Sequence, residues 1–267
     1  MEKTSGSDGT AENRELLVER DGHVLIVTLN RPERKNALTP VMRQELNRVI
    51  LEAGADDTVR CFLFTGAGDA FCAGADVGAL EAAVGSGEDR NRPHMPWTPV
   101  HCGVFKPSVC AVNGVCASGG LHFLSDCEIV IGSDTSSYLD THLDVGQVTT
   151  MEAIGLARRM PLGPIFRMAL LGRAERLSAE EALCVHLISE VVPRAQLMSR
   201  ALELAHTVAS HSPAAVQASL KTIWKTYEPK LTRDNHDGYA AVLAHRDHPD
   251  AAEGPRAFLE KRPPRWA

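Results

Sequence analysis

The chain has 267 residues, 44% of them hydrophobic and 23% charged, with a formal net charge of −6. That balance describes one large globular domain, or one with a small appendage, able to bury a sizeable core. No concentrated basic patch marks a nucleic-acid binder, and no apolar run approaches the roughly 18 to 20 residues that span a bilayer.

Residues 1–13 are polar, lack the apolar stretch of a secretory signal and are expected to form a disordered tail. A cytoplasmic location is therefore expected. Residues 15–19 and 24–29 flank Asp21-Gly22, a hairpin signal. Thr39-Pro40 then offers a helix cap followed by proline at the first helical position, and 41–53 shows helical apolar spacing. Residues 59–64, 109–112 and 129–131 are short apolar runs of strand length. They lie between helix-like stretches, which predicts repeated strand–helix units with both sheet faces covered. Residues 81–99 carry Gly and Pro interruptions and read as an irregular connection. Ser178-Ala-Glu-Glu181 reads as a capping box, with long helices expected over 195–210 and 212–227 and a short basic one over 253–261. The expected division is a tail over 1–13, an α/β core over 14–195 and a helical region over 196–267. The seven cysteines have neither C-x-x-C nor zinc-ligand spacing and are expected to be buried reduced thiols, with no metal.

Two glycine-containing strand exits carry the chemistry. They are Phe71-Cys-Ala-Gly-Ala-Asp76 and Asn113-Gly-Val-Cys-Ala-Ser-Gly-Gly120, the second opening a helix near Leu121. A Gly-Gly pair there leaves free N–H groups at a positive dipole end, suited to developing negative charge on an oxygen. Each motif alone is a common turn.

Together they are far more specific. Asn30-Arg-Pro-Glu-Arg-Lys-Asn-Ala-Leu38, the Phe71 to Asp76 motif, and Lys106-Pro-Ser-Val-Cys-Ala-Val-Asn-Gly114 with Gly119-Gly120 resemble the crotonase (enoyl-CoA hydratase/isomerase) superfamily. So do Leu171-Gly-Arg173, Leu177-Ser-Ala-Glu-Glu-Ala182, Val191-Val-Pro193 and Ala257-Phe-Leu-Glu-Lys-Arg262. The resemblance covers residues 15–262. It implies an α/β fold, a crotonase-like spiral of ββα units with a helical C-terminal trimerisation region, assembled as a homotrimer or dimer of trimers. It also implies an acyl-CoA thioester whose carbonyl sits in an oxyanion hole made by the N–H groups of Ala75 and Gly119. Coenzyme A would enter only as part of the substrate, near Arg34, Ala37, Leu38, Ala73, Asp76 and Val77, with no other cofactor.

The chain departs from the family at the general acid/base pair. One family glutamate lies three residues beyond the oxyanion glycine, where this chain has His122. The other lies in a motif like F-G-x-P-E-x-x-x-G, matched by Tyr138-Leu-Asp-Thr-His-Leu-Asp-Val-Gly146, which puts His142 in its place. The Gly-rich segment that follows is replaced by Gln147-Val-Thr-Thr-Met-Glu152. Histidine can serve as acid or base near neutrality. A first-turn position is expected to keep His122 neutral, with Asp126 at i+4 to orient it. Asp140 and Asp144 are candidate orienters of His142 if that segment is extended. The bland alternative is that both histidines merely fill space.

Three readings stay open: hydratase/isomerase chemistry on an acyl-CoA with His122 and His142 catalytic, hydrolysis of a β-diketone C–C bond or a thioester through a His–Asp dyad, and acyl-CoA binding without turnover.

Overall fold

The computed structural model describes residues 14–83, 95–226 and 239–267. The expected tail lies outside them, as do residues 84–94 of the expected connection and the end of the second long helix.

Strands β1 (Leu16–Asp21) and β2 (Val24–Leu29) form the hairpin, with Gly22 at φ 58° and Asp21 opposite Val24. Helix α1 (Pro40–Ala55) starts where the sequence places it, because Thr39 Oγ1 accepts from the Met42 N–H at 2.9 Å. Then follow β3 (Cys61–Gly66), β4 (Ala70–Cys72), α2 (Val77–Ala83), β5 (Ser108–Val112), β6 (Val115–Ala117) and α3 (Leu121–Asp126). Next come β7 (Ile129–Ser133), β8 (Ser137–Leu139), α4 (Met151–Leu156) and α5 (Leu162–Leu171). The chain continues through β9 (Leu177–Ser178), α6 (Ala179–Cys184), β10 (Glu190–Val192), α7 (Leu197–Ser210), α8 (Pro213–Lys225) and α9 (Pro249–Leu259). The capping box forms in full at Ser178 and Glu181. The last helix starts and ends earlier than its basic residues suggest, since Pro249 supplies the first turn.

A six-stranded sheet runs in the order β1-β2-β3-β5-β7-β10 and is parallel beyond the hairpin. A second sheet runs β4-β6-β8-β9. Three successive strand pairs, β3/β4, β5/β6 and β7/β8, each send their first strand to the large sheet and their second to the small one. The period of two divides the large sheet's side chains between two cores. Phe62, Phe64, Cys110 and Val112 pack with Met42, Leu46 and Ile50 of α1. Cys61, Leu63, Val109 and Ala111 pack with Ala201, Ala205 and Ala209 of α7, a small-residue stripe that lets the helix approach closely.

The cysteines are free thiols, buried at 61, 72, 110, 116 and 127, half-buried at 102 and exposed at 184. Burial pushes Cys72 up to about 12, so this thiol stays protonated and unreactive. Among the described residues no helix is long and apolar enough to cross a membrane.

Helix α9 folds back over the segment after β8. A Cβ at Gly254 would lie 2.0 Å from the Val145 carbonyl oxygen, so helix and loop meet backbone to backbone. His245 Nε2 reaches the Gly146 carbonyl at 2.7 Å, and Gln147 donates to the Ala251 carbonyl at 3.1 Å. The C-terminal region thereby fixes the loop that begins at His142.

Candidate active site

Two backbone segments meet between the sheets. In the first, Asn36 is buried in left-handed geometry (φ 57°), which its short polar side chain tolerates. Its carboxamide accepts from the Arg31 N–H at 2.8 Å and donates to the carbonyls of Ala67 and Ala70 at 2.9 and 2.8 Å. This clamp lays residues 35–38 along the Phe71 to Asp76 motif. The Ala73 N–H donates to Lys35 at 2.9 Å, Leu38 to Gly74 at 2.7 Å, and Asp76 to Leu38 at 3.0 Å. Leu38 and Ala75 are thus partners in a parallel bridge whose bonds run through residues 74 and 76. Ala75's own N–H points to the opposite side.

The second segment is the 3-10 turn Ser118–Gly120, which leads from extended Ala117 into α3. Ser118 takes φ 44°, a conformation that costs about 1 kcal/mol for a side-chain-bearing residue. Its hydroxyl accepts from the Thr141 N–H at 2.9 Å and meets the Thr141 hydroxyl at 2.8 Å, which helps to offset that cost. Gly119 falls in the first turn, where a backbone N–H has no intrahelical acceptor. The two adjacent glycines differ in purpose. A Cβ at Gly120 would meet the Cys72 Cβ and carbonyl oxygen at 2.9 Å, so that glycine serves packing. A Cβ at Gly119 would meet nothing closer than the Ala75 backbone nitrogen at 3.5 Å. Gly74, at φ 93°, brings the segments together, its own virtual Cβ lying 3.3 Å from the Gly119 nitrogen.

Of the residues expected near a nucleotide, Ala37, Leu38, Ala73 and Val77 line this neighbourhood, and Arg34 is exposed on its rim. Asp76 is already engaged. One carboxylate oxygen accepts from Arg31 at 3.0 Å and the other from the N–H groups of Gly78 and Ala79 at 3.1 and 3.2 Å. Asp76 is the anchor of α2.

His122 and His142 converge on a residue the sequence reading quoted but gave no role, Glu152. His122 Nε2 lies 3.3 Å and His142 Nε2 3.6 Å from the same Glu152 Oε1. The far nitrogens face two aspartates. His142 Nδ1 contacts Asp140 Oδ1 at 2.6 Å, and His122 Nδ1 lies 3.8 Å from Asp126 Oδ2. Trp97 packs on His122 in a T-shaped arrangement, with ring centroids 4.8 Å apart. His122 and Glu152 are buried, whereas His142 keeps 18% of its side chain exposed.

The structure corrects two expectations. Asp144 does not orient His142. The chain is not extended there but enters a 3-10 turn over Leu143–Val145, with His142 at φ −59°, ψ −48°. Asp144 instead accepts from the Arg173 N–H at 2.8 Å, leaving Asp140 as the orienter. Nor is His122 kept neutral by its place in a first turn. Burial pushes it down, but the carboxylates of Glu152 and Asp126 outweigh burial and raise it to about 10. His142 follows the same logic with Glu152 and Asp140, and rises to about 9. Burial pushes Glu152 up, yet the two imidazoliums hold it well below the usual carboxylate range.

Asp126 has further partners. Thr98 and Ser125 donate to it at 2.9 and 2.7 Å, Arg158 pairs with it at 3.2 Å, and His101 Nδ1 lies at 3.3 Å. His101, given no role from sequence, is therefore packed against this carboxylate, while His94 lies outside the described residues. His101, His122 and Asp126 bring candidate metal ligand atoms within 4.8 Å of one another. Arg158 already supplies a cation to that carboxylate, which weighs against a metal there. A cleft of about 830 Å³, walled by Leu171, Arg173, Phe258 and Trp266, includes none of these histidines.

The region thus brings the Gly74–Ala75 and Ser118–Gly120 backbone segments close together, with the buried His122 and its carboxylate partners one turn further along α3. A family model described as enoyl-CoA hydratase/isomerase matches residues 19–267. Enoyl-CoA hydratase EchA19 of Mycobacterium tuberculosis is 33% identical over 262 residues, covering 94% of this chain and 95% of its own. An enoyl-CoA hydratase/isomerase structure from Mycobacterium paratuberculosis is similar with TM-score 0.73 and 38% identity, over 95% of this chain and 98% of its own. One from Pseudoalteromonas atlantica has TM-score 0.82 at 27% identity, over 95% and 100% of the two chains. The chain belongs to the enoyl-CoA hydratase/isomerase family, within the crotonase superfamily.

Proposed function

We propose that this protein turns over an acyl-CoA by hydratase or isomerase chemistry, with His122 and His142 as its proton-handling residues. The thioester oxygen accepts from the N–H groups of Ala75 and Gly119, which favours the enolate-like transition state over the ground-state carbonyl. The imidazoles replace the family's two glutamates and exchange protons with the acyl α carbon and with water. Coenzyme A lies along Arg34, Ala37, Leu38, Ala73 and Val77, with Arg34 as a phosphate partner.

The observation that carries this reading is the convergence of both Nε2 atoms on one buried carboxylate. Histidines that merely filled space would have no need of a shared, charge-balanced acceptor. Hydrolysis is the second reading, and the 2.6 Å contact between His142 Nδ1 and Asp140 favours it, because such a dyad can activate water. Hydration and hydrolysis both need one unprotonated nitrogen to take a proton from water, so the adjoining Glu152 carboxylate, which favours the imidazolium, does not separate them. We also infer self-assembly as a homotrimer or dimer of trimers, supported by the exposed stripe Leu162, Phe166 and Leu170 on α5.

The test is incubation with a 2-enoyl-CoA, followed by ultraviolet absorbance and a thiol assay. The expected result is loss of the conjugated absorbance without release of free coenzyme A. Thiol release, or a carboxylic acid formed from a β-diketone, would favour the hydrolytic reading. Thermal stabilisation by acyl-CoA with no product would reduce the protein to a binder.

A further inference from the structure

His122 stands at the start of α3 and His142 at the end of the β8 exit, two elements with no sequence proximity. The group that joins them comes from a third element, the first turn of α4. Glu152 is 5% exposed, and one of its oxygens lies within 3.6 Å of both rings. Each ring's other nitrogen faces its own aspartate, so the line reads Asp126, His122, Glu152, His142, Asp140. Carboxylates and imidazoles alternate along it, joined by one hydrogen bond, His142 to Asp140 at 2.6 Å, and by ion-pair contacts of 3.3 to 3.8 Å. Among the described residues, the groups facing this line from outside are His101, Arg158, Thr98 and Ser125 at Asp126, and Thr149, whose hydroxyl donates to Asp140. The Trp97 ring packs against the His122 ring.

We propose that Glu152 is the positioning residue of this site, its single carboxylate oxygen lying between the His122 and His142 rings and coupling their charges into one unit. A carboxylate shared by two imidazoles fixes both ring orientations at once. It also makes each ring's proton depend on the other's, because deprotonating one leaves the bridging charge entirely to its neighbour. Asp140 faces His142 alone and Asp126 faces His122 and His101, so neither links His122 to His142. The inference deepens the proposed acyl-CoA chemistry and rests on it only for its kinetic consequences.

The experiment is a ¹⁵N NMR titration of the histidine side chains in the full-length protein, in the native chain, in Glu152→Gln and in Glu152→Asp. In the native protein both rings are expected to be protonated on both nitrogens at pH 7.5. Glu152→Gln keeps the shape and removes the charge, so both titrations should move down by about one pH unit or more. Glu152→Asp keeps the charge and should recover most of that shift, together with the native pH profile of kcat. With a 2-enoyl-CoA, Glu152→Gln should lower kcat about 100-fold while KM changes less than about threefold.

A native protein in which either ring is neutral at pH 7.5 overturns the proposal, even if Glu152→Gln fails to fold. So does a Glu152→Gln titration that moves only one ring. Absence of turnover in the native protein would sink the acyl-CoA reading and leave the NMR result standing. Normal turnover with uncoupled rings would do the reverse.

Discussion

Gly119→Ala is expected to fold as stably as the native chain and to lose about 100- to 1,000-fold in kcat, the usual cost of losing one oxyanion donor. The added methyl meets no atom closer than 3.5 Å, and the atom it meets there is the Ala75 nitrogen. It therefore strains nothing, yet it occupies the space beside the N–H that is proposed to share the substrate oxygen. The neighbouring Gly120→Ala separates this effect from general damage. Its methyl would press at 2.9 Å on the Cys72 Cβ and backbone carbonyl, so it should cost stability first. Parallel measurement of kcat and of the thermal midpoint checks both variants. A Gly119→Ala protein with native turnover would leave the backbone corner without its proposed role.

The second large effect is expected at Asp126, through stability. Asp126→Asn keeps the shape but removes the charge that faces Arg158, His101 and His122 in a fully buried setting. It also aims an amide N–H₂ at groups that are themselves donors. Breaking a buried ionic cluster from one side costs roughly 3–5 kcal/mol, because the remaining charges stay buried without a partner. Urea unfolding near pH 6 with an unchanged m-value would measure the loss directly. The pH dependence follows from the same groups. Asp126 and Glu152 are held below the ordinary carboxylate range, so their contribution is present above about pH 4.5 and fades as pH falls. His122 and His142 are raised, so theirs is full below about pH 6.5 and is lost as pH rises through about 9 and 10. Burial lowers His101, which adds a loss on the acid side. The native chain should therefore be most stable between about pH 5 and 7. Asp126→Asn should show a weaker alkaline decline, since His122 loses one of the charges that raise it.

Much of this architecture was legible because it is written in local chemistry. Asp21-Gly22 announced the hairpin, Thr39-Pro40 the first helix, and Ser178 with Glu181 a complete capping box. The second sheet was not legible. Strands β4, β6 and β8 have three residues each, too few to show a period of two, and they exist only through pairing with one another. The same holds at the site. Two glycine motifs and two histidines could be placed by resemblance to family patterns, but Glu152 stands where the family pattern has glycine-rich chain. Its partners lie in other elements, so nothing near it in sequence shows what it touches. A lone acid in the uncharged stretch Val148 to Ile154 was the one signal available, since an acid at the start of a helix is ordinarily solvated. Asp140 and Asp144 looked equivalent because each lies two residues from His142. Only the 3-10 turn after His142 separates them. Arg31 and Asn36 were read as part of a motif, and their work as clamps on the Asp76 and Ala70 backbone regions depends on contacts across the fold.

The proposed chemistry depends most on one oxygen and two main-chain nitrogens. The most direct measurement is a crystal structure of the protein with a saturated acyl-CoA, which can bind but has no double bond to hydrate. The thioester oxygen is expected about 3 Å from both the Ala75 and the Gly119 nitrogens, with the His122 and His142 rings beside the acyl α and β carbons. A bound acyl-CoA whose oxygen contacts neither nitrogen, or whose reactive carbons lie away from both rings, would contradict it.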